Sequence, residues 1–274
     1  MRLEDFIKLR DYVYRKSGVW FDEKKLYYVE KRVEARMRAT GHDDFRTYFA
    51  WMRFDTSGRE FQELMNALTV NETYFFREYH QLKCFAEEVV PEILAGQNGS
   101  APRRIRVWSA GCSTGEEAYT LAIILQEMTA GLLDGPVHWE VHATDINTEV
   151  LERAREGTYG PRAVREVPEE YLNKYFHRSG DDFEVVPELR RQVRFYHLNL
   201  LDRDGMRSMR DFDAIFCRNV LIYFDDASRR EAALYFYDAL RPGGFIFLGH
   251  SESMSRITSI FKLRRFRDAI IYQK

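Results

Sequence analysis

The chain has 274 residues, enough for two modest domains or one domain with an appendage. Hydrophobic residues make up 45% and aromatics 15%, which excludes a disordered, collagenous or low-complexity chain. Lys and Arg number 41 against 43 Asp and Glu, so the net charge of -2 excludes the field of a general nucleic-acid binder, and any basic partner surface has to be local.

Cys84, Cys112 and Cys217 stand far apart, a spacing that fits neither a disulfide framework nor a zinc cluster, so no metal is expected and a reducing compartment is. The start, Met1-Arg2-Leu3-Glu4-Asp5, is charged, and no stretch approaches the roughly 20 apolar residues that span a bilayer. The expectation is a cytoplasmic protein without membrane insertion.

Residues 1–70 predict helices with short joints and no strand. Leu26, Val29, Val33 and Met37 recur at helical spacing. Lys25, Arg32 and Arg36 form one flanking ridge, and Lys24, Lys31 and Arg38 the other. Gly41 is placed to stop this helix and Asp43-Asp44 to open the next, whose apolar face is Phe45, Tyr48, Phe49 and Met52. Residues 1–70 carry 14 Lys and Arg against 12 Asp and Glu, with the bases concentrated on the one helix.

A turn-rich joint at 95–102 (AGQNGSAP) separates this part from strands expected at 104–109, 140–145, 193–199, 213–217 and 245–249. Helical patterns at 116–128, 148–155 and 227–240 lie between them, an alternation that predicts an α/β fold with a doubly wound, mostly parallel sheet. Two β segments in 261–274 predict an antiparallel terminal hairpin, and 178–197 a small antiparallel β insertion.

The first strand runs into Ser109-Ala110-Gly111-Cys112-Ser113-Thr114-Gly115-Glu116-Glu117, a small-residue loop opening a helix at the strand end where doubly wound sheets bind ligands. Two glycines alone are weak evidence, since any tight βα turn can use them, and G-x-G-x-x-G is absent. Asp145, ending the second strand, stands where an acid grips two ribose hydroxyls, although it could equally cap the helix that begins near Thr148. Without a pyrophosphate cradle, S-adenosylmethionine is favoured over NAD, and with it methyl transfer.

Asn71-Glu72-Thr73-Tyr74-Phe75-Phe76-Arg77, the stretch 106–117, Ala143-Thr144-Asp145-Ile146, the stretch 216–224 (FCRNVLIYF) and Gly249-His250-Ser251-Glu252-Ser253 together resemble the CheR family of chemotaxis receptor methyltransferases. The resemblance implies a class I S-adenosylmethionine-dependent methyltransferase of receptor glutamates, with S-adenosylhomocysteine as the other product. It divides the chain into an N-terminal helical domain (1–70), an interdomain segment contributing cofactor contacts (71–98) and a methyltransferase domain (99–274).

Carried over residue by residue, the resemblance assigns cofactor contacts to Asn71, Thr73, Arg77, Ala110, Gly111, Glu117, Asp145, Asn199, Leu200, Asn219 and Val220, and a place beside the transferred methyl to Tyr223. Arg77 suits a carboxylate, Glu117 an amino group, and Asn199 with Leu200 the adenine. Each has a plainer role: Arg77 a solvated linker cation, Glu117 a first-turn acid for which Glu116 would serve equally, Asn199 a turn residue, and Tyr223 a core aromatic. The family's further basic catalytic position is left unplaced, since 85–91 contain no Arg or Lys.

Receptor docking is assigned to Arg32, Arg36 and Arg38, because receptor methylation helices are acidic; the alternative is a solvated helix face. The expected partners are therefore the cytoplasmic methylation helices of chemoreceptors, with the insertion as seat of any tethering peptide at the receptor C-terminus. No nucleic acid partner is expected, and the acting unit is expected to be a monomer. The competing functions are a class I methyltransferase with another substrate and a non-catalytic S-adenosylmethionine-binding sensor module.

Overall fold

The computed structural model describes residues 1–97, 102–132 and 135–274. The expected joint at 95–102 thus falls partly outside the described residues, at 98–101.

Four helices open the chain: α1 (Leu3–Ser17), α2 (Leu26–Thr40), α3 (Phe45–Phe54) and α4 (Arg59–Leu68). The stop and start signals act as the sequence predicts. Gly41 takes the left-handed conformation (φ 70°) that ends α2, and the Asp44 carboxylate accepts from the Arg46 and Thr47 N–H groups at the start of α3. Val29 and Val33 of α2, Tyr48 and Met52 of α3, and Leu64, Met65 and Leu68 of α4 close with Phe6, Leu9 and Val13 of α1 into one apolar cluster. Each such burial contributes about 1.5–3 kcal/mol, enough to hold short helices that would fray alone.

Two further helices, α5 (Tyr79–Cys84) and α6 (Val90–Ala95), are joined by a π-helical turn at Phe85–Val89. The main sheet then alternates with helices: β1 (Arg103–Ala110), α7 (Glu116–Thr129), β2 (Val137–Asp145), α8 (Thr148–Glu156), β6 (Val193–His197), β7 (Phe212–Cys217), α9 (Asp226–Ala239) and β8 (Leu240–Leu248). Its seven strands lie in the order β6-β2-β1-β7-β8-β10-β9, where β9 (Lys262–Arg265) and β10 (Ile270–Gln273) form the antiparallel terminal hairpin. The other five strands are parallel, so the order reverses between β1 and β7, and a crevice opens at their carboxyl ends.

Two sequence expectations need correction. The antiparallel insertion is a three-stranded sheet of β3 (Thr158–Tyr159), β5 (Asp182–Val185) and β4 (Phe176–Ser179), so it begins some twenty residues before 178. Residues 193–197 belong instead to β6 at the edge of the main sheet. The first 70 residues do carry one strand-like contact, an isolated antiparallel bridge between Val19 and Phe224. It joins the helical unit to the loop that follows β7.

Candidate active site

The loop after β1 is anchored to β2 by backbone: Gly111 N–H and Cys112 N–H both donate to the Thr144 carbonyl, at 2.8 and 2.9 Å. Gly111, Ser113 and Gly115 have positive φ of 84°, 50° and 95°. A Cβ on Gly111 would stand 2.4 Å from Val220 Cγ2, so the bare Cα lets the β1 loop meet the loop after β7. That contact accounts for Gly111 through packing between the two loops.

Asp145 is buried at the end of β2. Its Oδ2 accepts from Ser113 N–H (2.8 Å) and its Oδ1 from Asn147 N–H (2.9 Å). Helix capping, the competing role, belongs to Asn147, whose side chain accepts from Glu149 and Val150 N–H groups. Burial pushes the Asp145 pKa up, partly offset by these N–H donors.

Arg77 sits between two non-glycine residues in the left-handed region, Phe76 (φ 60°) and Glu78 (φ 55°), a conformation that costs on the order of 1–3 kcal/mol per residue and has to be held in place. Thr120 Oγ1 accepts from Phe76 N–H at 3.2 Å, and Arg218 Nη1 donates to the Arg77 carbonyl at 2.8 Å. Arg218 is only 7% exposed, and its Nε donates to Glu117 Oε2 at 2.7 Å. Glu117 Oε1 accepts from Ser109 Oγ at 2.6 Å. Glu117, not Glu116, therefore reaches the crevice, while Glu116 accepts from Thr114 Oγ1. Arg218 is the functional candidate that sequence reasoning passed over: it stands inside a recognised motif, but the acid that fixes it is 101 positions away.

These groups face a cavity of about 800 Å³, within the usual range for small-molecule sites. Asn71, Thr73, Arg77, Gly111, Glu117, Asp145, Asn199, Leu200, Asn219, Val220 and Tyr223 all line it, together with Arg218. The opposite wall comes from the helical unit: Trp20, Phe21, Lys25, Tyr28, Met65 and Leu68. Sequence periodicity marks such residues as core or surface without saying that they border a crevice. The wall is tied down at both ends. Trp20 N–H donates to the Tyr223 carbonyl (2.9 Å) and Tyr14 Oη to Asp225 (2.9 Å), while Gln62 Nε2 donates to the Ile146 carbonyl (2.7 Å) and Asn66 Nδ2 to Thr148 Oγ1 (2.9 Å). Tyr223 is half-buried, and burial pushes its phenol pKa up.

Two family models match this chain: "CheR methyltransferase, all-alpha domain" over residues 4–69 and "CheR methyltransferase, SAM binding domain" over 71–270. The chain belongs to the CheR methyltransferase family. It is 46% identical to chemotaxis protein methyltransferase 2 of Vibrio cholerae, over 98% of this chain and 92% of that protein. It is also 38% and 37% identical to the chemotaxis protein methyltransferases of Salmonella typhimurium and Escherichia coli, over 94% of this chain and 87% of each relative. It is accordingly an S-adenosylmethionine-dependent methyltransferase, and the cavity offers what that CheR cofactor needs: a buried acid, a guanidinium and apolar flanks from Leu200 and Val220.

Three assigned residues, Ala110, Arg32 and Arg36, are corrected by the geometry. Ala110 does not line the cavity; its methyl is fully buried in the cluster with Trp108 and Leu248. Asn199 lines the cavity while part of its amide braces the loop: Nδ2 donates to the Lys16 carbonyl at the end of α1 (2.8 Å) and Oδ1 accepts from Leu201 N–H (3.0 Å). Arg36 is committed to the helical core: its Nε and Nη2 grip the buried Glu60 at 2.9 and 2.7 Å, and Tyr48 Oη donates to the same carboxylate at 2.8 Å. Arg32 donates to the Ala67 and Tyr28 carbonyls and lies over the Tyr28 ring, 3.3 Å from its centroid. Neither arginine is a free docking cation. Arg38 remains exposed, as do Lys24, Lys25 and Lys31.

Proposed function

We propose that the enzyme transfers a methyl group from S-adenosylmethionine to glutamate side chains of chemoreceptors, forming glutamyl methyl esters. The observation that carries this reading is the shared cavity. Cofactor candidates on the sheet side face Lys25 and Tyr28 of the basic helical unit, with Tyr223 and Arg77 also on the wall. A substrate bound to the helical unit would thus present its side chain where the cofactor ends. We carry the individual roles over from the family resemblance, supported by the presence of all five residues in one cavity: Asp145 for the ribose hydroxyls, Arg77 for the cofactor carboxylate, Glu117 for its amino group, Leu200 and Val220 for the adenine. Asn71, Thr73, Gly111 and Asn219 complete that wall. The proposed division of the chain is a helical unit at 1–70 for the receptor, a segment at 71–98 reaching into the cavity, and a catalytic unit at 99–274.

No general base is required. A glutamate carboxylate, with a pKa of about 4.3, is already anionic at neutral pH. The bound cofactor supplies an electrophilic methyl on a positively charged sulfur. The carboxylate oxygen forms the new C–O bond as the S–C bond breaks, and no proton moves. The protein's work is alignment and exclusion of water: Trp20, Phe21 and Val220 keep the site apolar, and Tyr223 orients the reacting groups. Exposed Arg38, Lys24 and Lys31 attract the acidic receptor helices, with Lys25 at the cavity rim.

Among the described residues the small sheet leaves one edge of β4 unpaired, the geometry for adding a receptor C-terminal tether as a further strand. We take the acting unit to be a cytoplasmic monomer. Among the described residues no helix is long and apolar enough to cross a membrane. The test is transfer of labelled methyl to receptor-containing membranes. Label released as methanol by mild base supports the ester; label that stays on a small molecule, or that resists base, contradicts it.

A further inference from the structure

The run Gly249-His250-Ser251-Glu252-Ser253 has no member in the cavity wall, yet it holds a partly buried carboxylate at the back of the catalytic loop. Glu252 Oε2 accepts from Gly249 N–H (2.7 Å) and from Asn219 N–H (2.8 Å), and Oε1 accepts from Ile222 N–H (3.2 Å). The groups it holds begin the turn that carries Asn219, Val220 and Tyr223. This turn is not self-sufficient. Asn219 lies in the left-handed region (φ 61°), and the 3-10 segment Leu221–Tyr223 is a single turn whose leading N–H groups have no partner within it. The Glu252 carboxylate satisfies them without occupying the cavity.

Gly249 is part of the same device. A Cβ there would stand 2.7 Å from both Asn219 N and Glu252 Oε2, so only glycine lets β8 end so close to the loop after β7. The carbonyl side of the turn is fixed separately, with Trp20 N–H donating to Tyr223 O (2.9 Å) and Arg229 Nε to Leu221 O (2.9 Å). Among the described residues, Glu252 alone draws the N–H side back against the end of β8.

We infer that Glu252 is a positioning residue for methyl transfer, setting the place of Tyr223 by clamping the N–H side of the Asn219–Tyr223 turn from behind. The inference rests on the reading of Tyr223 as the group that orients the reacting partners. It adds a residue that touches neither cofactor nor substrate, and it gives the run at 249–253 a use in the reaction. Glu252→Gln is the informative change, because it keeps the shape while replacing one acceptor oxygen by an NH2 that faces backbone donors.

The experiment is a double-mutant cycle on the full-length enzyme: Glu252→Gln, Tyr223→Phe and the pair, measuring kcat for receptor methylation, the Kd for S-adenosylmethionine and the melting temperature. Losing charged hydrogen bonds to a catalytic loop predicts a fall in kcat of about 10- to 100-fold for Glu252→Gln. In the Tyr223→Phe background the further loss should be under about threefold, because the group being positioned is already gone. Equal fold losses in both backgrounds, with Tyr223→Phe itself impaired, would overturn the inference and leave the Tyr223 reading standing. Full activity of Tyr223→Phe alone would remove that reading and the inference with it. If Glu252→Gln melts below the assay temperature, Glu252→Asp, which keeps the charge but is too short to span both anchor points, is put through the same cycle with the same outcomes.

Discussion

The two walls of the cavity are built by different means. On the sheet side, position comes from backbone: left-handed residues at Gly111, Ser113 and Asn219, and the carboxylates of buried Asp145 and partly buried Glu252, which accept main-chain N–H groups. On the helical side, it comes from side chains of amphipathic helices, held to the sheet by Trp20, Tyr14, Gln62 and Asn66. The first kind of wall tolerates almost no change in covalent geometry. The second tolerates surface change and fails when its internal ion pair is cut. On the proposed roles, cofactor binding is carried by loops fixed through their backbone, and substrate selection by a unit whose outer face can vary.

The largest effect should come from the sheet wall. Gly111→Val would force a side chain into Val220 at a position with φ 84°, and S-adenosylmethionine affinity in calorimetry should fall by more than about 100-fold, since overpacking and backbone strain add. Arg36→Ala tests the helical wall. It strands the buried Glu60, and the loss in urea unfolding should be on the order of 3 kcal/mol. Arg38→Ala, on the same helix but exposed, should change stability by less than about 0.5 kcal/mol. Its effect belongs in the rate of receptor methylation at low salt, and should fade as screening shortens to roughly 8–10 Å. Equal stability losses in the two variants would erase the distinction between core and docking arginines.

Asp145→Ala should weaken cofactor binding by tenfold or more, because a charged acceptor is worth about 1.5–3 kcal/mol. An unchanged Kd in a folded variant would reduce Asp145 to a brace for the Ser113 and Asn147 N–H groups.

A smaller effect is expected at the amino-terminal part of the sheet. Burial pushes the Glu140 carboxyl up, but hydrogen bonds from Arg106 and His142 and the charge of Arg104 outweigh it and hold the pKa down to about 2. A depressed carboxylate stabilises the fold above its ordinary pKa of 4.5 and loses that contribution as pH falls toward 2. Glu140→Gln should therefore be less stable than the parent at neutral pH, with the gap closing between pH 4.5 and 2. A constant gap across that window would mean that packing, not charge, is what Glu140 supplies.

The sheet wall was largely legible in the sequence because its signals are local. Each loop follows directly from a strand, so Asp145 and Gly111 can be placed from strand ends alone, and Asn219 and Tyr223 from a single motif. Fixing Arg218 required Glu117, 101 positions away, and Asn199 is braced by the Lys16 carbonyl, which no local pattern connects to it. The helical wall was legible only as periodicity. Leu26, Val29, Val33 and Met37 mark the buried face of α2, but the same pattern cannot tell Arg36, folded onto Glu60, from Arg38, left in solvent. The insertion was recognised while its boundaries were not, since two residues, Thr158 and Tyr159, make its third strand.

The central claim is that Tyr223, held between the two walls, orients the transfer without holding the cofactor. Tyr223→Phe deletes only the hydroxyl, and its calorimetric Kd for S-adenosylmethionine should stay within about twofold of the parent, while the single-turnover rate of base-labile ester formation on receptor membranes falls at least about tenfold. An unchanged rate, with the Kd unchanged, would make Tyr223 a packing residue and contradict the account.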